Sequence, residues 1–107
     1  MAKKQAFTLV YDPQATGHLD AIELKYHTLI RRTIKEQLEF EPETPTRNRK
    51  PLEEPIALGA RWELRLGPDN RFRVFYRVDA EPRQVRILGI GVKNRNRIFL
   101  GGKEVKL

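Results

Sequence analysis

Residues 61–79, RWELRLGPDNRFRVFYRVD, leave little choice but a two-stranded hairpin. Trp62, Leu64 and Leu66 alternate with Arg61, Glu63 and Arg65. Beyond the turn residues Gly67-Pro68-Asp69-Asn70, Phe72, Val74, Tyr76 and Val78 alternate with Arg71, Arg73, Phe75 and Arg77. Side chains in a strand point to opposite faces with period two, so the hairpin has one apolar face and one face made mostly of arginine. Core packing accounts for the first face. The second needs an anionic partner, or solvent and cross-strand pairing to Glu63.

The rest of the chain supplies a cover for the apolar face. Ala6 to Tyr11 reads as a short strand, ended by Asp12-Pro13. From about Gln14 to Phe40, Leu19, Ile22, Tyr26, Leu29, Ile30, Ile34 and Leu38 recur at helical spacing, with Thr16 or Asp20 as candidate caps. This is one long helix or two helices bent between Glu23 and His27; no Gly or Pro there decides. Glu41 to Gly59 is a Pro-rich, charged connection, in which Leu52, Ile56 and Leu58 suggest that its later part packs down. After a turn at 79–83, Val85 to Val92 is apolar on both faces, as in a central strand. Gly89 and Gly91 mark a close approach or a bulge in it. Lys93 to Arg97 is a basic exit, Ile98 to Leu100 a strand or turn, and Lys103 to Leu107 a polar tail.

Short turns between the later strands imply an antiparallel meander with helices on one face. The expected fold is therefore α+β: an N-terminal strand, then a helix or helix pair packed on one face of a small, mostly antiparallel sheet. Residues 1–107 are expected to form one domain. The face without helices would carry Arg65 and Arg73. Trp62, Phe72 and Tyr76 belong to the core. Phe75, on the arginine side, either stacks on a base or lies under the Pro-rich loop.

Charge is segregated along the chain. Residues 1–46 hold six Lys/Arg against seven Asp/Glu, and residues 47–107 hold fifteen against seven, so the net charge of +7 resides in the strand-rich part. A one-sided positive field attracts polyanions, with nucleic acid the leading partner and an acidic protein segment the second. The chain has no Cys and no apolar run that would span a bilayer, and its opening Met-Ala-Lys-Lys leads into no signal-like segment. A cytoplasmic protein without a membrane partner is expected.

The sequence has no His/Asp/Glu group at metal-ligand spacing, no Gly-rich phosphate loop and no nucleophile–base pair, so neither a metal nor a cofactor is implied. His18 and His27 read as helical surface residues. What remains is guanidinium. Arginine keeps its proton near neutral pH and grips phosphate in a planar fork. Arg65 and Arg73 on facing strands could stabilise the phosphorane formed when a 2′-hydroxyl attacks a phosphodiester, a chemistry that requires RNA. Arg71 and Arg77 suit simple backbone contacts, as do Arg47, Arg49 and Lys50 in the connection.

The order of elements, with Trp-x-Leu-Arg, Phe-Arg-Val-Phe-Tyr-Arg-Val and a last apolar strand running into Gly-x-Lys-x-Arg, resembles the RelE/ParE family of bacterial toxin–antitoxin toxins. The resemblance spans nearly the whole chain and is most specific over residues 62–78 and 85–95. It implies two N-terminal helices on a twisted sheet. It implies a cognate antitoxin whose extended segment and helix mask the basic surface. For the RelE branch it implies a metal-independent endoribonuclease that cuts mRNA at the ribosome and so inhibits translation; for the ParE branch, a non-enzymatic inhibitor of DNA gyrase. A non-toxic basic module that binds an antitoxin is a further alternative. Carried over residue by residue, the RelE pattern matches Arg65 and Arg73 as the cations on the phosphate and Lys93 with Arg95 as the basic pair after the last strand. Outside that pattern, Glu63 could act as a base if it faces the phosphate and Lys93 could donate a proton, which completes the candidate catalytic set. RNA contacts would come from Arg71, Arg77, Lys93, Arg95, Arg97, Arg47, Arg49 and Lys50. Glu63 stands where RelE has lysine, and Phe99 falls at the position of the RelE C-terminal tyrosine.

Overall fold

A computed structural model describes residues 5–53 and 58–106. Its elements are β1 (Thr8–Tyr11), α1 (Pro13–His18), α2 (His27–Leu38), β2 (Arg49–Pro51), β3 (Trp62–Leu66), β4 (Phe72–Asp79), β5 (Gln84–Asn94), β6 (Arg97–Leu100) and β7 (Lys103–Val105). The strands form one seven-stranded sheet in the order β2-β3-β4-β5-β6-β7, with β1 parallel to β5 and every other pairing antiparallel. This is the expected α+β architecture. Ile56 and Leu107 lie outside the described residues, and so does Met1-Ala-Lys-Lys. Among the described residues no helix is long and apolar enough to cross a membrane.

The helical region is two helices. Ile22 and Glu23 are extended, with ψ of 138° and 133°, and single 3₁₀ turns flank them. The cap of α1 is neither Thr16 nor Asp20. Asp12 holds that place, its Oδ1 accepting from the Gln14 N–H at 3.1 Å, with Pro13 in the first turn where its missing N–H costs nothing. Ala15, Leu19, Ile22, Ile30, Ile34 and Leu38 are buried against Leu64, Leu66, Phe72, Val74, Tyr76, Ile87 and Ile90 of the sheet.

The Pro-rich connection is more regular than its composition suggests. Arg49–Pro51 pairs with β3 as an edge strand, where a proline lacking an N–H is tolerated. Beyond it, Leu52 and Leu58 fold over the other face of the sheet. There they join Ala60, Phe75, Leu88, Ile98, Leu100 and Val105 in a second apolar cluster. Phe75 is thus fully buried under the loop and is no platform for a base. The polar tail proves to be β7, which pairs with β6 from Lys103 to Val105.

Strand β5 carries a bulge. Gly89 faces Phe75 while Ile87 faces Tyr76, which leaves Leu88 as an extra residue. Leu88 and Gly89 therefore both turn to the second cluster, and a Cβ at Gly89 would stand 2.7 Å from Leu58 Cδ1. Gly67, at the hairpin turn, has φ of 84°, and a Cβ there would stand 2.5 Å from the Phe72 ring. Gly67→Ala is expected to lower stability by roughly 1–3 kcal/mol, since it combines positive φ with a clash against a buried ring. Urea unfolding measures this, and an unchanged midpoint would show that the turn can relax freely.

Candidate nucleic-acid interface

The β3–β4 register sets Arg65 opposite Arg73 and Glu63 opposite Phe75, all on the face without helices. Lys50 pairs opposite Glu63 on the adjoining edge strand. On the other side of β4, Gly91 pairs with Arg73, and Lys93 follows two residues later on the same face. The sheet thus brings Glu63, Arg65, Arg73, Lys50 and Lys93 to one surface, alongside the second apolar cluster.

At its centre is a compact ion cluster. Glu63 Oε1 accepts from Arg65 Nε at 3.1 Å and lies 3.1 Å from Arg73 Nε, so one carboxylate oxygen bridges two guanidinium groups. Arg73 is only 4% exposed, and its Nη1 donates to the Asn70 carbonyl at 3.0 Å. Burial lowers the Arg73 pKa from its ordinary value; Glu63 opposes that shift and Arg65 adds to it. Arginine has pKa to spare, so Arg73 remains a cation at neutral pH. The Arg65 side chain is 34% exposed and forms the accessible half of the pair.

The other expected contacts separate into groups. Arg71, Lys93 and Arg95 line one concavity at the hairpin-turn end, beside Pro68 and Asp69. Arg71 also leans towards the helices: its guanidinium carbon is 5.7 Å from the Tyr26 ring centroid, and its Nη2 is 3.9 Å from Glu23. Arg97 is exposed and pairs with Glu104 at 3.7 Å; Arg47 is exposed before β2. Arg77 lies at the far end of β4, paired with Asp79 at 3.6 Å. Arg49, expected among the nucleic-acid contacts, is buried on the helix face instead. Its register opposite Leu64 turns it inward, and its Nη1 donates to the Gln37 carbonyl in the last turn of α2. A cation there satisfies a helix-end carbonyl and complements the helix dipole. Among the described residues no group of three or more His, Asp or Glu is placed to hold a metal.

No family model matches the sequence, and no curated protein does. Among solved structures, the chain is similar to one in the crystal structure of the toxin–antitoxin complex RelBE2 from Mycobacterium tuberculosis. The TM-score is 0.61 at 22% identity, over 82% of this chain and 99% of that one. The chain has a RelE-like fold. In this RelE-like frame the charged hairpin face is the one left uncovered by helices.

Sequence reading missed a second feature of the RelE-like chain. On the helix side, where α1 breaks and β5 meets β6, lies a cleft of about 270 Å³ whose walls include His18, Tyr26, Arg71, Phe72, Asn94 and Phe99. Gly101-Gly102 completes it. Phe99 therefore points away from the arginine pair. The signals in the sequence were Phe99 and the Gly-Gly turn, and neither is specific without the fold. His18 is not a free surface residue. Strand β5 exchanges β1 for β6 as its neighbour between Ile87 and Gly91, and His18 Nδ1 accepts the Ile90 N–H at 3.2 Å in the interval.

That bond requires Nδ1 without a proton. Burial lowers the His18 pKa, and Asp12 partly opposes this. A histidine with a depressed folded pKa leaves stability intact above its unfolded value, about 6.5, and costs stability as pH falls from there through the folded pKa. Unfolding free energy measured by urea is therefore expected to decline over that window. His18→Gln, whose side-chain oxygen can accept the same N–H without titrating, should lack this part of the pH dependence. An identical decline in the variant would remove His18 as its source.

Proposed function

We propose that this chain is the toxin of a toxin–antitoxin pair and acts as a metal-independent endoribonuclease on mRNA at the ribosome, in the cytoplasm. The observation that carries this reading is the convergence of Arg65 and Arg73 on a single oxygen, Glu63 Oε1, at 3.1 Å from each Nε. In the free chain that oxygen is held where a non-bridging oxygen of a phosphodiester would be. Charge-assisted donors fixed in advance are what a developing phosphorane needs. The RelE-like fold and the solved neighbour's toxin–antitoxin complex support the pairing with an antitoxin, whose acidic or apolar segment would cover this same face.

The chemistry follows from displacement. An incoming phosphate takes the place of the Glu63 carboxylate between the two arginines. The released carboxylate accepts the proton of the neighbouring 2′-hydroxyl as its oxygen attacks phosphorus. Arg65 and Arg73 stabilise the dianionic phosphorane. The bond to the 5′-oxygen then breaks, Lys93 protonates that leaving oxygen, and a 2′,3′-cyclic phosphate remains. Lys50 and the exposed Lys93 and Arg95 hold adjacent phosphates without reading sequence.

Glu63→Gln separates binding from catalysis. Removing the internal anion should tighten binding of a short single-stranded RNA, while loss of the base should slow cleavage by roughly 10²-fold or more. Arg65→Ala, at the accessible position, should weaken binding and abolish cleavage, and DNA of the same sequence should remain intact. Cleavage of mRNA on programmed ribosomes is the decisive assay. Wild-type rates in Arg65→Ala, or cleavage that proceeds unchanged in Glu63→Gln, would sink this assignment.

A further inference from the structure

The helix-side cleft is not used by the chemistry above, yet it adjoins the same basic end of the sheet. Arg71 is the common wall: it lines the cleft and also the concavity holding Lys93 and Arg95. Asn94 and Phe99 play the same part on the other side, shared between the cleft and a concavity lined by Arg95 and Arg97. Arg71 is thus the cation of the cleft itself, with Lys93, Arg95 and Arg97 in the two concavities that adjoin it. The acidic residues are Glu23, which lines the cleft and lies 3.9 Å from Arg71, Asp69 in the adjoining concavity, and Glu104, paired with Arg97 at 3.7 Å. Inside, the walls are of another kind. Tyr26 and Phe99 are half-buried rings, Asn94 offers an amide, and Arg71 already lies over Tyr26.

We infer that this cleft is a nucleobase subsite, in which one unpaired base of the bound RNA inserts against Tyr26 and Phe99 while its flanking phosphates cross Arg71, Lys93 and Arg95. The inference rests on the RNA reading of the sheet face and extends it around the end of the sheet. Single-stranded RNA is recognised through bases splayed onto aromatic rings and guanidinium planes, with phosphates on adjacent cations. A volume of about 270 Å³ lies just below the range typical of drug-sized ligands, which suits a single heterocycle. An aliphatic ligand would leave Asn94 and Arg71 without a role.

Adenosine 5′-monophosphate is the direct probe. Titrated into the ¹⁵N-labelled chain, it should shift the amides of Tyr26, Ile90 and Gly101. Phe99→Leu keeps an apolar side chain but removes the ring, and should weaken that binding by about tenfold. Arg71→Ala, at an exposed position, should also weaken it and serves if Phe99→Leu does not fold. An RNA carrying 2-aminopurine should show quenching on binding that Phe99→Leu or Arg71→Ala relieves. Shifts confined to the β3–β4 face, full affinity in the variants, or an inert nucleotide beside a peptide that shifts the same amides would overturn the subsite. If nucleotide shifts persist while RNA cleavage is absent, the cleft stands and the nuclease reading alone falls.

Discussion

Strand β5 has an apolar side chain or a glycine at every position from Ile87 to Val92, and both of its faces must be covered. Everything else in the fold answers that demand. On one face the two helices and the hairpin's apolar residues form the main core around Ile87 and Ile90. On the other, a short loop and the β6–β7 hairpin close over Leu88 and the two glycines. The bulge at Leu88 makes this possible, because it lets Leu88 and Gly89 serve the same side. The second cover is small. Beyond its edge the sheet face is held by charge, and that remainder is the Glu63–Arg65–Arg73 cluster.

Burying a guanidinium as deeply as Arg73 is costly unless its donors are met, and here a carboxylate and a backbone carbonyl meet them. Such a cluster is weak grounds for a stability role, since apolar residues of similar size commonly do as well in its place. Its charge does not close either. One carboxylate is shared by two guanidinium groups, with Lys50 opposite on the next strand, which leaves a standing positive potential on a rigid sheet. A purely structural cluster has no need for that excess. The phosphate site proposed above would.

The sequence disclosed those parts of the fold that depend on period two and on composition. The hairpin alternation put Glu63, Arg65 and Arg73 on one face, and the apolar run over residues 85–92 marked the central strand. What it hid depends on partners distant in the chain. Arg49 looked like one more basic loop residue, because only the β2–β3 register turns it towards the end of α2. The break at Ile22-Glu23 has no Gly or Pro to announce it, yet both residues leave the helical region, with ψ of 138° and 133°. His18 gained its role from a gap between β1 and β6, two strands that never touch in sequence. The cleft is likewise assembled from both ends of the chain, so no local pattern could encode it.

A site that keeps its own anion binds by difference. Exchanging the Glu63 carboxylate for a phosphate oxygen replaces one charge-assisted contact with another, so the arginine pair contributes geometry more than net affinity. Affinity must then come from cations without a buried counter-charge, and the structure places these around the rim: Lys50 on the edge strand, Lys93 and Arg95 beyond β5, and Arg71 at the turn. Counterion release from phosphates at those exposed positions would make binding salt-dependent. Arg73, almost fully enclosed and held by the Asn70 carbonyl, would respond less. In the proposed nuclease, rim and centre would thus divide the work: the rim would gather the polyanion, and the centre would accept only a group that can replace a carboxylate between two fixed guanidinium donors.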